Sequence, residues 1–320
     1  MQMLLHDIIQ KEPIYKGWSC DKKYCVTLPA GVRYLLRITP YDKSQTRRAL
    51  FEMLGRVSEL GIPMCRPVEF GVCDEGVYTL YTWIDGRDAE EVIPALPEAE
   101  QYGLGRQAGE ILKRMHSIPA PAGQENWHVR FNRKTDAKIQ RYTDCGIRFA
   151  GDDKVIQYLK NHRDVFKNRP QCFQHGDYHI GNMMMADGAL VVIDFDRFDF
   201  GDPWEEFNRI VWSAQAAPSF AAGMVDGYFD AEPPEEFWRC LAFYIGSNTL
   251  SSIYWAVGFG QSDLDVMMRQ SQDVLSWYHH FQTVIPSWYC DAQKARRTSK
   301  GRQRRPSPSA GNDTGGLDGR

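Results

Sequence analysis

The segment from His175 to Pro203 concentrates the side chains that could carry chemistry. It begins His-Gly-Asp-Tyr-His-Ile-Gly-Asn and ends Ile-Asp-Phe-Asp-Arg-Phe-Asp-Phe-Gly-Asp-Pro. Between these motifs Asp187-Gly188 separates two apolar runs, which is a strong signal for a two-residue hairpin turn. If these residues form the turn, Asn182 faces Ile193, so Asn182 and Asp194 lie together at the open end of one hairpin.

Oxygen-bearing side chains at such a place suit Mg²⁺, which prefers an octahedron of oxygen ligands and keeps substrate phosphates in its shell. Asp177 lies on a loop before Asn182, where its carboxylate is free to accept a hydroxyl proton. Phosphoryl transfer needs these parts: metal ligands, a carboxylate that orients the nucleophile, and cations on the phosphates. The segment therefore predicts Asp177 as a base and Asn182 and Asp194 as Mg²⁺ ligands.

A second interpretation takes His175, Asp177 and His179 as zinc ligands of a hydrolase. It leaves Asn182 and Asp194 without a role, so we expect instead that His175 braces its loop through hydrogen bonds.

The end of the segment has a structural interpretation. Asp202-Pro203-Trp204-Glu205 predicts the start of a helix, with Asp202 as its cap and Glu205 completing a capping box.

Strands and helices must position these residues. Short apolar runs at 24–28, 33–38, 68–71 and 77–83 predict strands, and three- and four-residue apolar spacing after Ser44 predicts a helix among them. Helical spacing dominates after Asp85-Gly86. We therefore predict an α+β fold of two lobes, a small β-rich lobe at 1–85 and a larger, mainly helical lobe at 86–290.

The last thirty residues have a different composition. Residues 291–320 hold six arginines, five glycines and a single leucine, which predicts a disordered basic tail.

Charge and cysteine usage narrow the class of protein. The net charge is −3, and the eight cysteines form no C-x-x-C pair. Residues 1–13 lack an apolar signal-peptide core, so we expect reduced thiols in a cytoplasmic protein. The uncharged stretch 240–262 has hydroxyl and amide side chains at its middle, which predicts a buried helix. We expect no membrane and no nucleic-acid partner.

Three motifs together, His-Gly-Asp-x-x-x-x-Asn, Ile-Asp-Phe and Gly-Asp-Pro, resemble those of the aminoglycoside phosphotransferase and choline kinase-like family, whose members are relatives of the protein kinases. The resemblance implies a protein-kinase-like fold, Mg²⁺, and ATP or GTP as co-substrate. It also implies that Asp177 orients the acceptor hydroxyl and that Asn182 and Asp194 ligate the metal.

The resemblance further implies a nucleotide site in the N-terminal lobe. The family usually pairs a lysine on the third strand with a glutamate on the next helix. Here the strand position is an arginine, whose planar fork suits phosphate, and a glutamate follows on the helix at a fitting spacing. The nucleobase is expected to lie against the segment that links the lobes, and the phosphates are expected to lie under the first loop. The expected nucleotide contacts are therefore Gly17, Ser19, Arg37, Glu52, Thr82 and Ile84.

The acceptor is expected to bind the acidic part of the chain, because residues 168–290 carry 5 basic and 16 acidic side chains. Such a field attracts cations. It predicts a small hydroxyl compound that is cationic, such as an aminoglycoside, with Asp199, Glu205 and Glu206 as candidate contacts. Two alternatives stay open: a kinase of a housekeeping amino alcohol or other hydroxyl metabolite, and a nucleotide-binding protein without turnover.

Overall fold

The computed structural model describes residues 5–15 and 21–303 of the chain. Its N-terminal part is a five-stranded antiparallel sheet in the order β1-β2-β3-β5-β4, with one helix before β4. The four predicted strands and the predicted helix are confirmed, and β1 is an addition that the sequence did not predict. These elements are β1 (Gln10–Ile14), β2 (Lys22–Thr27), β3 (Arg33–Thr39), α1 (Ser44–Glu59), β4 (Pro67–Cys73) and β5 (Gly76–Thr82).

Strand alternation decides which side chains of this sheet face the rest of the protein. Leu36 and Ile38 of β3 belong to a small core on one face of the sheet. Leu35 and Arg37 point to the opposite face and line a cleft between the sheet and the helical part. The period of two along β3 thus explains why a charged residue in an apolar strand reaches the cleft.

The rest of the described chain is mainly helical, as predicted. A three-stranded sheet, β6-β8-β9, and a two-stranded sheet, β10-β7, lie within it. A short 3-10 helix over Glu205–Arg209 precedes α6. The elements are β6 (Arg87–Asp88), α2 (Ala89–Val92), α3 (Glu98–Met115), α4 (Trp127–Asp144), α5 (Asp152–Asn161), β7 (Cys172–Gln174), β8 (Met183–Ala186), β9 (Ala189–Val192), β10 (Asp199–Gly201), α6 (Ile210–Ala216), α7 (Pro218–Phe229), α8 (Glu235–Ala256), α9 (Gln261–Trp277) and α10 (Ser287–Gln303).

Helix α8 holds most of the uncharged stretch and lies in the main core. Leu241, Phe243 and Ile245 are buried there, which confirms the prediction of a core helix. Among the described residues, no helix combines the length and the hydropathy that crossing a membrane requires. The cysteines that the structure describes are all unpaired.

Helices α3 and α7 pack with their backbones in close approach. A Cβ atom at Gly105 would lie 2.1 Å from the carbonyl oxygen of Phe220, and one at Gly109 would lie 2.2 Å from that of Met224. No larger side chain fits at either position. The same α3 accepts a hydrogen bond at Ala108 O from the Tyr178 hydroxyl, 2.7 Å away. The helix pair therefore anchors the loop that carries Asp177.

The folded part extends past residue 290, where the sequence predicted its end. Helix α10 continues to Gln303. Its polar side chains find a partner in Asp226 of α7, which accepts hydrogen bonds from the Tyr289 hydroxyl at 2.7 Å and from Gln293 Nε2 at 2.7 Å. Composition alone could not reveal these long-range contacts. The rest of the predicted tail, 304–320, lies outside the described residues.

Candidate active site

The predicted hairpin is present in the predicted register. Met183 pairs with Val192, and Asp187-Gly188 forms the turn with positive φ angles of 49° and 76°. Two positive φ values are what the strongly twisted two-residue turn requires. At the open end, the Ile193 amide donates to the Asn182 carbonyl oxygen across 3.0 Å. Asn182 and Asp194 are therefore held at one end of the hairpin, as expected.

The loop before the hairpin is braced by His175. Its buried ring joins the Ile193 carbonyl oxygen through Nε2 at 2.9 Å and accepts from the Asp177 amide through Nδ1 at 3.3 Å. The predicted bracing role is confirmed. Both ring nitrogens are occupied, and the described part of the chain holds no group of three or more His, Cys, Asp or Glu placed to bind a metal. The zinc interpretation thus loses its ligand set.

Cationic and polar groups surround the Asp177 carboxylate. Arg209 Nε lies 3.2 Å from Oδ1, and Arg197 Nε lies 4.0 Å from Oδ2. Burial raises the pKa of Asp177, but Arg209, His179 and Arg197 outweigh it, so that the pKa lies below its ordinary value. Burial also lowers the pKa of His179 to about 4, against the opposing effect of Asp177. At neutral pH an ionised carboxylate therefore lies beside an uncharged imidazole.

Two oxygen donors near this loop fit Mg²⁺. Asn182 donates through Nδ2 to the Asp177 carbonyl oxygen at 2.8 Å, which leaves its amide oxygen unused by the described residues. The Asp194 carboxylate likewise forms no ion pair or hydrogen bond with described residues and lines the cleft. An amide oxygen and an unpaired carboxylate are hard ligands of the kind that Mg²⁺ prefers.

The cleft has a volume of about 290 Å³ and combines apolar walls with charged residues. Thr82 and Ile84 line it. The amide of Thr82 already donates to the Arg66 carbonyl oxygen at 2.9 Å, whereas the Ile84 backbone forms no hydrogen bond within the described chain. The Ile84 backbone is therefore open to a ligand. Gly17 and Ser19 lie outside the described residues.

The expected pairing of Arg37 with Glu52 is wrong, because the α1 helix turns Glu52 outward into solvent. Arg37 donates instead to Asp196 Oδ1 at 2.9 Å and to Asp21 Oδ2 at 2.7 Å. Arg47 of α1 donates to the same two carboxylates. This cluster of two arginines and two aspartates was not predicted, because its only local signal in the sequence is the second aspartate of Ile-Asp-Phe-Asp.

Substitution of Asp21 tests this cluster against the pairing expected from the sequence. Asp21→Asn leaves two buried guanidinium groups facing one carboxylate, and we expect the free energy of unfolding to fall by about 1–3 kcal/mol. Glu52→Gln, on the exposed face of the same region, should change it by less than about 0.5 kcal/mol. Urea unfolding of both variants measures the difference. Equal effects would contradict the cluster.

The acidic residues expected to bind the acceptor already have partners. Asp199 pairs with Arg130. Glu205 accepts from Gln174 Nε2 at 3.0 Å, and Glu206 accepts from the Gly176 amide at 2.9 Å. The prediction of a cationic acceptor thus loses the three contacts on which it was based, because cations and amides from distant parts of the chain occupy them.

Asp202 caps the turn after the Gly-Asp-Pro motif, as predicted, but the rest of the predicted capping box is absent. Its Oδ1 accepts from the Trp204 amide at 3.0 Å. The helix that follows is a 3-10 helix, and Glu205 binds Gln174 instead of the cap. This helix places Glu206 against the Gly176 amide and Arg209 against Asp177, so it supports the loop of the candidate base.

Comparison with known proteins agrees with this geometry. Residues 12–241 match the phosphotransferase enzyme family. The chain is also 28% identical over 99 residues to a glucosamine kinase from Streptacidiphilus jiangxiensis. That match covers 28% of this chain and 23% of the kinase, so it spans less than a quarter of the relative's length.

Solved structures share the two-lobed, kinase-like fold. A thermostable mutant of aminoglycoside phosphotransferase APH(4)-Ia, in a ternary complex with ADP and hygromycin B, aligns with a TM-score of 0.61 at 15% identity, over 84% of this chain and 94% of that one. The GDP complex of aminoglycoside 2'-phosphotransferase-IIIa aligns with a TM-score of 0.62 at 12% identity, over 83% and 92% of the two chains.

Proposed function

Because the chain belongs to the phosphotransferase enzyme family, we propose that it transfers the γ-phosphoryl group of ATP or GTP to a hydroxyl of a small molecule. One observation carries this proposal: a single loop joins the two roles that the reaction needs. Asn182, the candidate metal ligand, donates to the carbonyl oxygen of Asp177, the candidate base, at 2.8 Å. This hydrogen bond ties the Asn182 side chain to the backbone of Asp177, which supports the proposal that the two residues act together.

The residues have separate roles in this proposal. The ionised Asp177 accepts a hydrogen bond from the acceptor hydroxyl, orients its oxygen and takes up the proton as the new bond to phosphorus forms. The bond between the γ-phosphorus and the bridging oxygen breaks in the same step, and the nucleoside diphosphate leaves. Mg²⁺, held by Asn182 and Asp194, would offset the negative charge of the phosphate oxygens. Arg37 lines the cleft. In this proposal its guanidinium exchanges the carboxylates of Asp196 and Asp21 for phosphate oxygens, which it can bind with two parallel hydrogen bonds.

The division of the chain follows from these roles. We assign nucleotide binding to residues 1–85, with the nucleobase at the Ile84 backbone beside Thr82. Gly17 and Ser19, the phosphate contacts expected from the sequence, lie outside the described residues. Residues 86–290 carry the general base Asp177, the metal ligands and the acceptor site. Complexes of the structural relatives with ADP and with GDP support a purine nucleotide as donor.

A coupled assay of nucleotide consumption tests the proposal. It combines Mg²⁺ and ATP or GTP with a panel of hydroxyl acceptors: aminoglycosides, macrolides, choline-like amino alcohols, hydroxy acids and sugars that include glucosamine. We expect a rise above background with at least one acceptor, and its loss in Asp177→Asn. Nucleotide binding without a rise for any acceptor would favour a nucleotide-binding protein without turnover.

Asp194→Asn should weaken nucleotide binding only when Mg²⁺ is present. The carboxylate supplies a charged ligand, and its loss is expected to lower the affinity for the magnesium nucleotide by about 10–100-fold. Titration with a fluorescent ATP analogue, with and without Mg²⁺, measures this. Asp187→Asn at the hairpin tip is the control, because asparagine tolerates its positive φ. An equal loss in EDTA would argue against a metal ligand.

A further inference from the structure

Helix α4 carries a row of cationic side chains. Arg130, Lys134 and Lys138 recur at four-residue spacing, so they lie along one face of the helix. Arg130 donates to the Phe200 carbonyl oxygen and pairs with Asp199, which fixes this face against β10, the strand that precedes the 3-10 helix of Arg209. We refer to Lys134, Lys138 and Arg209 as the basic wall.

Two members of the basic wall form no ion pair with the described residues. Lys134 and Lys138 Nζ lie 6.0 Å and 5.6 Å from the centre of the Phe131 ring. Within the described residues, neither ammonium has a carboxylate within ion-pair distance. Arg209 lies 3.2 Å from Asp177, but its buried Nε forms no hydrogen bond. All three groups thus keep unused bonding capacity, and Lys138 interacts electrostatically with both Lys134 and Arg209.

The carboxylates near the basic wall do not neutralise its positive charge. Glu205 interacts electrostatically with Lys134, Lys138 and Arg209, yet burial raises its pKa despite them. Among the described residues, Arg209 forms its ion pair with Asp177. In the proposed reaction the Asp177 carboxylate is needed to bind the acceptor hydroxyl, so it does not serve only to neutralise Arg209. Burial lowers the pKa of Lys138 to about 7; Glu205 opposes this shift, and Lys134 and Arg209 add to it. A bound anion would relieve this repulsion.

We propose that the acceptor carries an oxyanion, a carboxylate or a phosphate ester, held by Lys134, Lys138 and Arg209 while Asp177 receives its hydroxyl. This inference rests on the proposed function, since it identifies the chemical class of the acceptor for the same site. It replaces the cationic compound predicted from the sequence with a hydroxyl compound of opposite charge.

Protection of the lysines from acetylation tests the proposal without requiring turnover. The full-length protein with Mg²⁺ and AMP-PNP is treated briefly with acetic anhydride in the presence of glucosamine, glucose, glucuronate or glucose 6-phosphate, which share one ring. Peptide mass spectrometry compares Lys134 and Lys138 with Lys160, which is exposed on α5. We expect glucuronate or glucose 6-phosphate to reduce acetylation about threefold or more relative to Lys160, and glucose and glucosamine to have no effect.

The outcomes separate the possibilities. Protection by glucuronate alone assigns a carboxylate, and protection by glucose 6-phosphate alone assigns a phosphate ester. Protection by neither, or equal protection by glucosamine, overturns the proposal. If an anion protects the lysines but the protein phosphorylates no acceptor, the anion site is supported and the proposed function is contradicted.

Kinetics provide a second test with any acceptor that is phosphorylated. The double variant K134Q/K138Q should raise KM about tenfold or more with kcat nearly unchanged, because both lysines bind the acceptor without acting in the chemical step. K134R/K138R should recover most of the loss, and K154Q/K160Q on α5 is the matched control. A neutral or cationic acceptor used equally well by K134Q/K138Q would contradict the inference.

Discussion

Asp177→Asn is expected to lower kcat for phosphotransfer by about 10²–10⁴-fold, the range for loss of a positioned general base. The amide keeps the size of the side chain but cannot take the hydroxyl proton. The Asp177 carbonyl oxygen, which accepts from Asn182, is unchanged by the substitution. Affinity for the magnesium nucleotide should therefore stay within about twofold of the wild type.

Two measurements on the same preparation decide this prediction. Single-turnover product formation gives the chemical step, and nucleotide titration gives the binding step. Asp187→Asn, at the exposed hairpin tip, controls for the loss of one negative charge. Turnover of Asp177→Asn at the wild-type rate would show that another group receives the proton.

Arg169→Met is expected to cause the largest loss of stability, about 3–5 kcal/mol in the free energy of unfolding. Arg169 binds Asp202 through Nε and Nη2, both at 2.9 Å, and the Asp202 side chain is 0% exposed. Without the guanidinium the carboxylate keeps only neutral donors, such as the Tyr244 hydroxyl at 2.6 Å. Removing the counter-ion of a buried charge lowers the free energy of unfolding far more than breaking an exposed ion pair does.

Urea unfolding measures this loss against two references. Arg239→Met removes an exposed pair with Glu235 on one turn of α8 and should cost far less, because solvent screens an exposed ion pair. The double variant R169M/D202N, which removes both charges, should recover part of the stability. If R169M and R239M lost equal amounts, the buried pair would not have the importance assigned to it.

The hairpin could be predicted from the sequence because its information is local. Asp187-Gly188 selects one turn type, the turn fixes the register, and the register brings Asn182 and Asp194 together. The β3 strand is equally local, since alternation alone places Arg37 on the cleft side. Turn chemistry and strand alternation are therefore enough to arrange residues that are close together in the sequence.

The partners of Arg37 could not be predicted in this way. Which side chain of α1 reaches the cleft depends on how the helix is rotated, and that is decided by packing against the sheet. Glu52 had a suitable spacing but faces solvent, while Arg47 reaches Asp196, 149 positions away in sequence. Spacing along one helix cannot distinguish between these two outcomes.

The prediction of an acidic acceptor site was wrong for a related reason. Counting residues in 168–290 gives an acidic total, but the cations that cover it come from elsewhere: Arg130 meets Asp199, and Arg37 meets Asp196. The four-residue spacing of Arg130, Lys134 and Lys138 was visible in the sequence. It became informative only when the fold placed α4 beside Arg209.

The close contact of α3 and α7 also limits how this enzyme can diverge. At Gly105 and Gly109 one helix touches the backbone of the other. No other residue can replace either glycine without moving the helices apart, so we expect substitutions at these positions to be lost in evolution. The surface of α4 that bears Lys134 and Lys138 has no such constraint. We expect descendants to change acceptor by exchanging α4 side chains while inheriting the glycines unchanged, which makes the glycine pair a marker of ancestry and the α4 row a marker of specificity.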